Sequence, residues 1–165
     1  MFKFAGAAAI FISCVSIGCT KSYRMKKRCN SLNSLILATE RIGAEISFTK
    51  KRLERIFNDI ARDFKLPLFS DTAIMMQSVG TRHALSRSLS KYADDMALTA
   101  QDIKAAKTLN AITDFSGDEQ QRLLQTTLKL LELSYSEATE KYNKTGKLYR
   151  NCGVLLGILG VILLF

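Results

Sequence analysis

The strongest constraint on this chain is the absence of charge at its two ends. Residues 4–19 (FAGAAAIFISCVSIGC) carry no ionisable Asp, Glu, Lys or Arg, and neither do residues 151–165 (NCGVLLGILGVILLF). All 15 acidic residues and every basic residue except Lys3 lie between them. The nearly neutral mean hydropathy of +0.04 therefore averages two unlike materials. Apolar stretches of this kind predict a transmembrane helix over 1–20 and another over 148–165. The first uncharged run is about 24 Å long at helical rise, a little short of a ~30 Å hydrocarbon core. Lys3, Lys21 and Arg150 can extend their charges outward from the ends to make up part of the difference.

Charge then sets the expected topology. Lys21, Arg24, Lys26, Lys27 and Arg28 follow the first apolar stretch, and Lys141, Lys144, Lys147 and Arg150 precede the second. The preference for basic flanks on the cytoplasmic side predicts both termini outside and residues ~21–150 within. The segment 21–29 reads as a basic juxtamembrane stretch and 30–147 as a cytoplasmic helical domain. A basic flank beside an anionic leaflet adds attraction of about 1 kcal/mol per nearby charge. A competing reading treats Ser16-Ile17-Gly18-Cys19 as a lipoprotein signal acylated at Cys19. The polar Ser16, the basic charges that follow and the second apolar stretch argue against it.

The middle of the chain reads as all helix: it contains a single proline, Pro67, and no sustained strand-like alternation. Leu32, Leu35, Ile36, Ile42 and Ile46 describe one helix. Thr49 is placed to cap a second, with Leu53, Ile56, Phe57, Ile60, Ala61 and Phe64 on its apolar stripe and Leu66-Pro67 ending it. Further helices are predicted over 70–78, with Ala73, Met76 and Val79 inward, and over 82–96, capped by Thr81 with Leu85, Leu89 and Tyr92 inward. A fifth starts at Thr99 or Ala100 and carries Ile103, Ala106, Leu109 and Ile112. After the turn Phe115-Ser116-Gly117, Asp118 is placed to cap the last helix. This gives a bundle of about six helices. From Asp118 onward, Gln121, Leu124, Leu128, Leu131, Tyr135, Ala138, Tyr142, Thr145, Tyr149 and Cys152 alternate steps of three and four. That heptad seam runs into the second apolar stretch, with Gly146 as the one candidate hinge.

Signatures of chemistry are missing. His83 is the sole histidine and has no ligand-spaced neighbour, and Asp94-Asp95 reads as a solvated helix face. The four cysteines, Cys14, Cys19, Cys29 and Cys152, lack zinc or redox spacing. No phosphate-binding glycine loop, nucleophile elbow or metal motif occurs, so no catalytic residue, metal or cofactor is expected. The net charge of +9 is concentrated at the apolar flanks rather than interleaved with aromatics, which argues against nucleic acid. The apolar ends do carry small residues at packing spacing: Gly153, Gly157 and Gly160 in the second, Ala5, Ala9 and Ser13 in the first. These faces suit an antiparallel hairpin, homo-oligomer contacts or contacts with other subunits.

Two stretches resemble a known family. Gly117-Asp118-Glu119-Gln120-Gln121, then Ala138, then Lys147 through Gly157 (KLYRNCGVLLG) are similar to the ending of the stage III sporulation protein AB family. Ala44-Glu45-Ile46, followed by Thr49 and Leu53, resembles its earlier part. Glu45, Asp118 and Gln121 are the family-matching structural residues. The family usually carries glycines before its Asp and Gln, where this chain reads Leu109 to Phe115 without one. The resemblance implies a cytoplasmic domain like those of the inner-membrane platform proteins of type II secretion and type IV pilus systems. It further implies a place in the channel-like apparatus between mother cell and forespore, in the mother-cell membrane, with a secretion-type ATPase, stage III sporulation protein AA, as cytoplasmic partner. The residues alone leave a second reading open, a membrane-anchored signalling or regulatory domain.

Overall fold

The computed structural model describes residues 2–48, 52–113 and 117–164, and for 2–5, 7–10, 81, 113, 163 and 164 it describes the backbone alone. The described residues are all-α. Helix α1 spans Phe2–Phe48, α2 Leu53–Asp63, α3 Pro67–Val79, α4 Thr81–Tyr92 and α5 Ala100–Lys107. A 3₁₀ turn over Thr108–Thr113 follows α5. Helix α6 covers Asp118–Lys141 and α7 Lys147–Leu164, joined by a π-helical turn at Tyr142–Gly146. The chain divides into two compact units, one of Met1–Cys29 with Glu137–Phe165 and one of Asn30–Ser136.

The unit Asn30–Ser136 is helical and has its own core. The second half of α1 buries Leu32, Leu35, Ile36, Ala38, Thr39 and Ile42, a stripe of threes and fours that closes on one face. Gly43 lies on the same stretch; a Cβ there would meet Leu124 Cδ1 at 3.5 Å, so α6 packs directly against it. In α2, Ile56, Phe57 and Ile60 are buried as their spacing predicts, and Phe57 stacks at a tilt on Phe69 of α3, with centroids 5.5 Å apart. Leu85 and Leu89 of α4 and Ala106, Leu109 and Ile112 after it complete the core. Polar ties pin the small helices. Thr99 and Asp102 form a reciprocal capping box at the start of α5. Asp71 of α3 accepts from both Lys91 and the Tyr92 hydroxyl of α4.

Several sequence expectations need correcting. Pro67 does not end the second helix but opens the third: it sits in the first turn of α3, where its missing N–H costs nothing. The reversal before it is made at Lys65, whose φ is 52°. The third helix accordingly starts three residues early and turns Leu68, Phe69, Thr72 and Ala73 inward, leaving Met76 and Val79 half-buried. Helix α4 stops at Tyr92, and a turn follows in which Ala97 is left-handed (φ 55°) and Met96 is buried. Gly80, not Thr81, provides the entry to α4: its carbonyl accepts from Ala84. Likewise the Gly117 carbonyl accepts from Gln121, so Asp118 is the first helical residue rather than the cap. Its charge still favours that end of the helix dipole. The expected cap Thr49 and the turn residues Phe115 and Ser116 lie outside the described residues.

The predicted transmembrane helices over 1–20 and 148–165 are helical, yet among the described residues no helix is long and apolar enough to cross a membrane. The uncharged runs are 16 and 15 residues, below the ~20 that a hydrocarbon core asks for. The basic segment 21–29 lies inside α1.

The heptad seam is shifted. In α6 the buried residues are Leu124, Thr127, Leu131, Ser134 and Ala138, so Leu128 and Tyr135 are only half-buried. Thr127 can be buried because its hydroxyl donates to the Leu123 carbonyl at 2.9 Å and lies 2.6 Å from the Thr108 hydroxyl. Continuing the seven-residue step from Leu124, Leu131 and Ala138 would bury Thr145 and Cys152. Instead Gly146 and Gly153 are buried, one residue later, and Cys152 is exposed. The π turn between them supplies the extra residue that moves the buried face.

Candidate functional site

Two features of the structure bring expected residues together. The first is the helix pair of the unit 1–29/137–165, where the start of α1 runs antiparallel to α7. At Gly18 a Cβ would lie 2.7 Å from the Tyr149 carbonyl oxygen and 3.2 Å from Gly153 Cα. At Gly153 it would lie 3.0 Å from the Cys14 carbonyl oxygen, and at Gly157 2.7 Å from the Phe11 ring. At Gly18 and Gly153 backbone meets backbone, which only glycine permits, and at Gly157 the Phe11 ring fills the space. Gly153 and Gly157 are thus buried in the seam, and Gly160 is half-buried beyond them. On the partner helix the contacts fall on Phe11, Cys14 and Gly18, spaced three and four apart. Ser13 is exposed, and the side chains of Ala5 and Ala9 lie outside the described residues. Gly18 is not among the packing residues expected from sequence. The Cys14-x-x-x-Gly18 pair is its available signal, hidden because a cysteine is easily passed over as a small residue.

The same antiparallel pairing carries the basic flanks. Lys21, Arg24, Lys26, Lys147 and Arg150 are exposed, and Lys27 and Arg28 are half-buried. Lys141 and Lys144 are also exposed, and Lys144 pairs with Glu140 at 2.5 Å, one helical turn away. That contact lowers the Glu140 carboxyl below its ordinary range and raises the Lys144 ammonium above its own.

The second feature is an open groove of about 260 Å³ in the unit 30–136. Gly43, Ala44 and Leu124 lie along it, with Glu40, Gln121 and Gln125 contributing polar groups. The two family-like stretches, around Ala44 and around Gln121, are 77 residues apart in sequence and meet at this one place. Glu45 is half-buried beside it and bound to Arg41 at 3.0 Å. Asp118 is exposed at the start of α6. His83 is exposed, the four cysteines are free thiols, and among the described residues no cluster could hold a metal ion.

These features define a class: an all-α domain carried on two flanking helices that pair backbone to backbone through glycine. Within that class, the chain belongs to the stage III sporulation protein AB family, whose model matches residues 3–165. A solved structure of a stage III sporulation protein AB (SpoIIIAB) has the same fold, at 23% identity and a TM-score of 0.65, covering 70% of this chain and 96% of that one. No curated protein sequence matches. The resemblance read from the C-terminal third and from the earlier stretch around Ala44 is therefore borne out over nearly the whole chain.

Proposed function

We propose that this protein is a non-enzymatic platform of the sporulation apparatus, a component of the channel-like machinery between mother cell and forespore. In this reading its terminal helix pair sits in the mother-cell membrane around the forespore. Its helical domain faces the mother-cell cytoplasm and docks a secretion-type ATPase, stage III sporulation protein AA, and other channel subunits. The observation that carries the proposal is the inside-out character of the helix pair. Glycines occupy its contact face, while Leu155, Leu159 and Ile162 are 65%, 57% and 68% exposed, and Ile17 is 73% exposed. In water such a pair leaves its best hydrophobic residues unused; in lipid those residues are at no disadvantage and only the close glycine contact matters. The apolar runs are short, so Lys21 and Arg150 extend to the headgroups at one side. The groove at Ala44 and Gln121 is the candidate docking face for the ATPase.

The test is co-isolation from detergent-solubilised membranes of sporulating cells. The full-length protein should bring down the ATPase. Gly157→Leu should lose the other channel subunits while leaving the unit 30–136 folded, and Ala44→Arg should lower ATPase recovery alone. Equal ATPase recovery with and without this protein in the membrane would sink the platform reading.

A further inference from the structure

The sequence holds two basic clusters more than a hundred residues apart, and the fold turns them into one. Because Gly18 lies against Tyr149 and Gly153, and Phe11 against Gly157, the helices run antiparallel from that contact. Residues 21–28 then run alongside 141–150. Together with residues 137–140 these segments hold nine basic residues against two acidic ones, Glu137 and Glu140. That surplus of seven is most of the net charge of +9. Successive charges within each segment are about 5 Å or less apart along the helix, inside the ~8 Å screening length at physiological salt, so neighbouring charges reinforce one another. Tyr23 and Tyr149 lie in or beside the same band and are 65% and 44% exposed. Tyrosine there presents an apolar ring with a polar tip, the property that suits a lipid–water boundary. Beyond the band, α7 exposes leucine and isoleucine.

We infer that this two-helix collar is an interaction surface for the anionic phospholipid headgroups of a bilayer, and that headgroups seated on it steady the pairing of the helices. The inference rests on the membrane reading above and deepens it. Two helices that bring a surplus of seven positive charges into one band repel each other along it, and the glycine contact resists that repulsion over only a short length. Headgroup phosphates add counter-charge from outside. Neither cluster could do this alone at the same density, so charge binding and helix pairing are coupled.

The experiment uses the full-length protein floated with vesicles of phosphatidylcholine alone or with about a third phosphatidylglycerol. Recovery should be at least about tenfold greater with the anionic vesicles at low salt and should fall towards the neutral level at about 0.5 M salt. A variant with Arg24→Gln, Lys26→Gln, Lys141→Gln and Lys147→Gln should keep its recovery on neutral vesicles and lose the anionic preference. Its helical circular dichroism checks folding, and the salt titration of the unaltered protein tests the inference without any variant. Equal recovery on both vesicles overturns the lipid collar and leaves the membrane reading standing. No recovery on either overturns both.

Discussion

Replacing Gly18 with alanine adds one methyl group and tests the helix pair at its tightest point. The new Cβ would sit 2.7 Å from the Tyr149 carbonyl oxygen and 3.2 Å from Gly153 Cα, both backbone atoms that no rotamer change can move. Restoring an ordinary contact means parting the helices by about 0.7 Å, which forfeits a quarter to a half of the dispersion energy of each contact along the seam. Overpacking of this kind costs about 1–3 kcal/mol. Against it stands the better helix propensity of alanine, about 1 kcal/mol. Gly6 is the control: a Cβ there would meet nothing within 4 Å, so Gly6→Ala takes the propensity gain without the clash. The two substitutions should therefore differ by about 1–3 kcal/mol, with Gly6→Ala neutral or stabilising and Gly18→Ala destabilising. Thermal melting of the full-length protein in detergent, followed at the helical band, reads the difference. Hydrogen exchange should localise it to 11–22 and 149–157. Gly153→Ala, at 3.0 Å from the Cys14 carbonyl, should have the same sign, and the double variant should cost less than the sum, because helices already parted admit the second methyl easily. If Gly18→Ala stabilises as much as Gly6→Ala, the helices do not pack backbone to backbone at this point.

Three further outcomes follow from other parts of the molecule. Deleting Asn143 should convert the π turn to ordinary helix and rotate all that follows by about 100°. Gly153 then turns away from Gly18, and exchange protection over 149–157 should collapse; unchanged protection would mean the π turn has no role in setting the face. Thr99→Ala removes the hydroxyl that accepts from the Asp102 amide and should lower stability by about 1 kcal/mol in denaturant unfolding; a change below a few tenths would show the capping box to be idle. The Lys91 ammonium, with help from the Tyr92 hydroxyl, lowers the Asp71 carboxyl, and Asp71 in turn raises Lys91. The depressed carboxyl stabilises the fold above its unfolded pKa and ceases to do so as pH falls through its folded value. The raised ammonium contributes below its unfolded pKa and is lost as pH rises through its folded one. Asp71→Asn should therefore melt slightly earlier than the unaltered protein at neutral pH, with the gap closing in acid; a gap that persists at low pH would assign the effect to packing instead.

Much of the helical domain is legible in the sequence because the rules that form it are local. The apolar stripe of α2 needs only its own three- and four-residue spacing, and the helix start read at Thr99 or Ala100 falls at the Thr99 cap. The candidate groove is less legible. Ala44 and Gln121 are each family-like, but nothing in either stretch says that α1 and α6 bring them to one place. Pro67 misleads for a related reason: proline is equally compatible with the end of one helix and the start of the next, and the left-handed turn at Lys65 decides between them.

By itself the sequence determined that the chain is helical, that its ends are uncharged and edged with lysine and arginine, and that glycines recur at close-packing spacing in the last helix. Only the tertiary structure decided which glycine meets which backbone. Each residue turns an α-helix by about 100°, so a single extra residue in the turn at Tyr142–Gly146 moves the buried face from Cys152 to Gly153. No heptad count could foresee that insertion. It is set by the fit of Gly153 against Gly18, two residues 135 positions apart, and that contact is also what gathers two separate basic clusters into one collar.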